Sequence, residues 1–218
     1  YVALAQPVSS LELEKQHDFG IKPAMLRIEM ERLTDEGYLS QPFVSSGRVP
    51  TDKAYRYFVD KIFEGKIPES KTVGQIESLL VEGSDLFKLA LELTRFLASS
   101  SSNIAFFGLP DKEIILKEGW EGVVKEPEFL DHDFFADFAD FVSDFENSFG
   151  DFEMKKNIRV SIGQENASPK AKNLSLISCT CSLPDGQKGS LTLAGPKRMA
   201  YKKNISLINS LTKLMAEF

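Results

Sequence analysis

Cysteine, histidine and tryptophan are all scarce: the 218 residues hold two Cys, two His and one Trp. Two cysteines cannot build a disulfide scaffold, and a chain of this length needs none, because it can bury a core of its own. Cys179 and Cys181 stand one residue apart and read as reduced thiols of a cytoplasmic protein. His17 and His132 are the only imidazoles. No zinc-type ligand spacing, nucleophile motif or phosphate-cradling glycine loop accompanies either. His132 lies between Asp131 and Asp133, a setting that can tune an acid or a base, yet it reads as a surface residue at a helix start. The sequence therefore carries no catalytic, metal or cofactor set and does not read as an enzyme. No run reaches the ~18 apolar residues of a membrane helix, so no membrane partner is expected. Residue 1 is Tyr, and no charged and then apolar leader follows it. The natural N-terminus is expected to lie upstream.

Positive charge is also missing, but only in one place. The net charge is −6. Residues 128–153 contain nine acidic side chains and no basic one, whereas residues 154–218 hold 11 basic and 3 acidic. Residues 1–66 are close to neutral, with 9 basic and 10 acidic side chains. A near-neutral unit can still bind DNA when its cations share one face.

Ser9 and Glu12 fit a capping box, so a short helix should start there and stop near Phe19-Gly20. Lys22-Pro23 opens a second helix with Leu26, Met30 and Leu33 inward, ended by Gly37. Two helices this close have helix-turn-helix spacing. Residues 38–42 and 48–50 read as a β-hairpin, a wing. Thr51 then caps a helix with Ala54, Phe58 and Ile62 along one stripe and Tyr55 and Val59 beside it. Gly65-Lys66-Ile67-Pro68 closes this unit, dividing the chain into 1–66 and 67–218.

Beyond the boundary, 72–102 reads as helical, with the serines from Ser99 to Ser102 breaking the pattern. Strands are expected at 103–109, 113–116, 158–162, 174–181 and 189–194, with a turn at Pro184-Asp185-Gly186. Phe134, Phe138, Phe141, Phe145 and Phe149 recur at helical spacing and read as a core face. Asp133, Asp137, Asp140 and Asp144 lie off that face and read as solvated. Gly163 and Gly195 are assigned to turns beside strands. A last helix from about Arg198 carries Tyr201, Ile205, Ile208, Leu211, Met215 and Phe218.

Five short signatures then fall in order: Gln6-Pro7-Val8-Ser9-Ser10, Gly47-Arg48-Val49-Pro50-Thr51-Asp52-Lys53-Ala54-Tyr55-Arg56-Tyr57-Phe58-Val59-Asp60, Pro127-Glu128-Phe129 with Asp131, Ile162-Gly163-Gln164-Glu165-Asn166, and Gly195-Pro196-Lys197-Arg198-Met199-Ala200-Tyr201. Together they resemble the heat-inducible transcription repressor family HrcA. The resemblance implies an α+β protein: an N-terminal winged helix-turn-helix followed by a GAF-like α/β domain. It also implies a homodimer that represses chaperone genes by binding double-stranded DNA at an inverted-repeat operator called CIRCE, with the chaperonin GroEL helping to keep it active. The family's first helix precedes Gln6, so only residues 1–5 could belong to it here. The chain between Ile104 and Trp120 is much shorter than the family's, which marks this as a short form.

The residues expected at the DNA are Lys22, Met25, Arg27, Ile28, Arg32, Arg48, Lys53 and Arg56. Where the family's recognition helix opens S-P-A-T-I-R-N, this chain reads Lys22-Pro23-Ala24-Met25-Leu26-Arg27-Ile28. Phe43-Val44 replaces the usual His-Thr of the wing. Two alternatives stay open: a family member that has lost DNA binding and serves as an interaction module, and a regulator gated by a small ligand and reading a different operator.

Overall fold

A computed structural model describes residues 5–82, 85–109, 114–147, 157–183 and 186–217. The fold is α+β, and its contacts divide the chain into two compact units, residues 1–61 and 62–218.

The N-terminal unit begins with α1 (Ser10–Gln16) and α2 (Pro23–Asp35). The Ser9 Oγ accepts the Glu12 N–H at 3.2 Å and the Glu12 carboxylate accepts the Ser9 N–H at 2.8 Å, closing a full capping box. That backbone hydrogen bond holds the Glu12 carboxyl below its usual range. Strands β1 (Leu39–Ser40) and β2 (Val49–Pro50) pair antiparallel, and Val8 adds a bridge to Arg48. Gly47 is needed here: a Cβ at this position would lie 2.3 Å from the Val8 carbonyl carbon. α3 (Asp52–Glu64) follows, its first turn capped by Thr51.

The second unit holds α4 (Val73–Glu82), α5 (Leu86–Ser101), β3 (Ile104–Leu109), β4 (Ile114–Glu118), α6 (Trp120–Val123), α7 (His132–Asn147), β5 (Arg159–Ile162), β6 (Leu174–Ser182), β7 (Lys188–Pro196) and α8 (Tyr201–Glu217). The five strands form one antiparallel sheet in the order β4-β3-β7-β6-β5. Alternation sends Ile104, Phe106, Leu174, Leu176 and Ala194 to the face covered by Phe138, Phe141, Val142 and Phe145 of α7. The phenylalanine face is thus buried in the core. Its rings meet Trp120 and Phe106 at 5.5 and 4.6 Å between centroids. The opposite face of the sheet carries α5 and α8. With both faces covered, β3 and β7 are buried almost throughout.

Several sequence expectations need correction. α1 ends at Gln16, before Phe19-Gly20. The serines at 99–101 do not break α5, which runs to Ser101 and stops at Ser102 in the left-handed region, φ +57°. Leu33 of α2 and Phe58 of α3 are exposed, and the buried stripes are Leu26 with Met30 and Tyr55 with Val59. Gly195 is no turn residue: it lies inside β7, where a Cβ would collide with the Asn103 side chain at 2.0 Å. By contrast, Cys179 and Cys181 are free thiols as expected, both buried on one face of β6. Phe149, Phe218 and the Pro184-Asp185 part of the expected turn lie outside the described residues.

Candidate nucleic-acid interface

The eight residues expected at DNA all fall in the N-terminal unit: Met25, Arg27, Ile28 and Arg32 on α2, Lys53 and Arg56 on α3, Lys22 just before α2 and Arg48 just before β2. Lys22 precedes the first turn of α2, exposed and with no partner among the described residues. Met25 and Ile28 are 49% and 54% exposed, on a side of α2 away from buried Leu26 and Met30. Arg32 continues that side one turn further along. Arg27 and Arg32 pair with Glu31 and Glu36 one turn on, at 3.4 and 3.0 Å, and Arg56 pairs with Asp60 at 3.6 Å. The pairs on α2 are solvent-exposed and worth only ~0.3–0.5 kcal/mol each, so a phosphate could replace the carboxylate at little cost.

Two of the cations also make local contacts. Arg48 donates from Nε to the Thr34 Oγ1 at 3.1 Å, tying the hairpin to α2. Lys53 donates to the Glu36 carbonyl at 2.7 Å, satisfying the C-terminal end of α2, and its ammonium lies 4.3 Å from the centre of the Tyr38 ring. Thr34 and Tyr38 escaped sequence reasoning because each contact joins residues 14 or more apart that no helical or strand period relates. The hairpin loop exposes Phe43 and Val44, at 73% and 99%.

In the second unit the signature residues are used internally. Arg198 is buried and forks onto Glu128 at 2.6 and 2.9 Å, and it also pairs with Glu126. Burial opposes the charge on Arg198, but the hydrogen bonds and charges of the two carboxylates outweigh it, and its pKa lies above the usual value. Two signatures separated by 70 residues are thereby joined, with Glu126 as an unforeseen third member. Asn166 shares its amide N–H groups among the carbonyls of Gly163, Ala171 and Leu174, at 3.1, 2.8 and 3.0 Å. The Tyr201 hydroxyl donates to the Lys197 carbonyl at 2.5 Å and lies 2.6 Å from the Ser175 Oγ. Lys170, in the turn before β6, bridges Asp137 and Asp140 of α7 at 2.9 and 3.0 Å, and those two carboxylates raise its pKa. His132 stands exposed at the start of α7.

The family model described as HrcA protein C terminal domain matches residues 58–205. The chain belongs to the HrcA family. Curated HrcA relatives, each named heat-inducible transcription repressor, include one from a Nocardioides species, 39% identical over 110 residues, and one from Thermobifida fusca, 40% identical over 111. Each match takes in 50% of this chain and only 33% or 32% of the relative. The chain therefore aligns with about a third of the length of those HrcA proteins. A crystal structure titled only as a hypothetical protein superposes with a TM-score of 0.81, covering 100% of this chain and 93% of the other at 17% identity, and so shares the fold. The HrcA signatures at Glu128, Asn166, Arg198 and Tyr201 all lie within the matched residues.

Proposed function

We propose that this chain is a DNA-binding transcription repressor of heat-shock, chaperone-encoding genes. In this reading residues 1–66 form a winged helix-turn-helix and residues 67–218 a GAF-like regulatory and dimerisation domain. The observation that carries it is α2: a 13-residue helix whose outer side is open to solvent, tied through Thr34 to an antiparallel hairpin. Such a helix enters the major groove, with its N-terminal residues at the base edges and the hairpin beside it. Lys22, Arg27, Arg32, Arg48, Lys53 and Arg56 are assigned to phosphates, which fix register without reading sequence. Met25 and Ile28 are assigned to bases. A homodimer places two such helices about a two-fold axis, which suits a CIRCE-type inverted repeat. The names carried by the curated relatives support the repressor role. Cytoplasmic residence and modulation by the chaperonin GroEL follow from the family resemblance.

Titration of the chain against a CIRCE inverted repeat and a scrambled duplex tests this directly. Specific repression predicts tight binding to the repeat, with affinity for the scrambled duplex lower by at least ~10³-fold. Absence of binding to both would overturn the reading and favour the interaction-module alternative.

A further inference from the structure

Met25 and Ile28 lie one helical turn apart on the same side of α2, and about half of each side chain is open to water. Neither can donate a hydrogen bond, and neither carries an acceptor stronger than a thioether. In the major groove the one methyl group that a base pair presents is the thymine C5-methyl, and the G·C edge offers mainly hydrogen-bond donors and acceptors. A G·C pair facing these side chains would lose water from its polar edge without gaining a partner. Charge along α2 points the same way. Its first half, from Lys22 to Ile28, holds Lys22 and Arg27 and no acid, while Glu29, Glu31, Asp35 and Glu36 fall in the second half. The half that carries Met25 and Ile28 is therefore the half that complements a phosphate-lined groove, and it is the half that recognition helices direct at bases.

Resting on the DNA-binding reading above, we infer that α2 selects thymine through its C5-methyl group, with Met25 and Ile28 as the contacting side chains. The operator of this chain is then defined by methyl positions opposite α2, rather than by the adenine amide pairing that a side chain such as Asn would provide.

The test exchanges thymine for uracil, which removes the methyl and leaves base pairing intact. Duplexes enriched by the full chain from a random-sequence pool at low salt are resynthesised with uracil at each thymine in turn. At the contacted positions binding should weaken about fourfold per methyl, the burial of one methylene's worth of apolar surface. A Met25→Ala/Ile28→Ala variant should bind the thymine and uracil duplexes equally. Both side chains are exposed, so its unfolding midpoint should stay unchanged and report that the fold is intact. If the parent chain binds both duplexes equally, methyl readout is wrong while the DNA-binding reading stands. If the double variant keeps the thymine preference, the assignment to Met25 and Ile28 is wrong. If nothing is enriched from the pool, the DNA-binding reading itself falls, and this inference with it.

Discussion

The two units distribute polarity in opposite ways. Among the described residues of the N-terminal unit only Leu26, Met30, Tyr55 and Val59 are buried apolar side chains, while Leu11, Phe19, Met25, Ile28, Phe43, Val44, Tyr57 and Phe58 are exposed. The second unit buries several times as many apolar residues and also takes Arg198, Asn103 and Thr94 inside, each hydrogen-bonded. Exposed apolar groups cost solubility and mark surfaces meant for contact. Buried charges cost desolvation and persist where they are fully bonded. The first unit therefore spends its unusual residues on its surface, and the second spends them on its own architecture.

Breaking the interior cluster should give the largest effect. Arg198→Ala leaves Glu126 and Glu128 without their cation and should destabilise the second unit by about 3 kcal/mol. Urea unfolding followed by the fluorescence of Trp120, the one tryptophan, would measure it. A loss under 0.5 kcal/mol would erase the proposed contrast, since surface substitutions fall in that range.

A smaller effect is expected from pH. Burial pushes the Cys181 thiol from about 9.0 up to about 12 and raises Cys179 as well. Both pKa values are higher folded than unfolded. The stability these thiols contribute is thus complete below pH 9 and is lost as pH rises from 9 toward about 12. By pH 10, one unit above the unfolded value, each thiol should have cost about 1.4 kcal/mol. A Cys179→Ala/Cys181→Ala chain should show a flatter decline over the same range, and equal slopes would contradict the burial argument.

Much of this contrast was legible in the sequence, and the exceptions share a cause. The Ser9–Glu12 box, the Lys22-Pro23 helix start and the phenylalanine face of α7 are set by neighbours within four residues, where period and capping chemistry act. Leu33 and Phe58 were misplaced because helical period identifies a stripe without saying whether another element covers it. The local partners of Arg48 and Lys53, Thr34 and the Glu36 carbonyl, lie 14 and 17 residues away and had no sequence signal. Glu126 gave no signal, because its role depends on a residue 72 positions away.

Lys22 offers the most direct test of the central claim, that α2 is a surface built to meet DNA. Its charge has no partner among the described residues, so removing it should leave the fold untouched. The affinity of the chain and of Lys22→Ala for duplex DNA should be measured across a salt series, together with both unfolding midpoints. The account predicts a steep fall in affinity with salt, a slope shallower by about 0.9 in the variant, and midpoints that coincide. Identical slopes for the two chains, or affinity independent of salt, would contradict it.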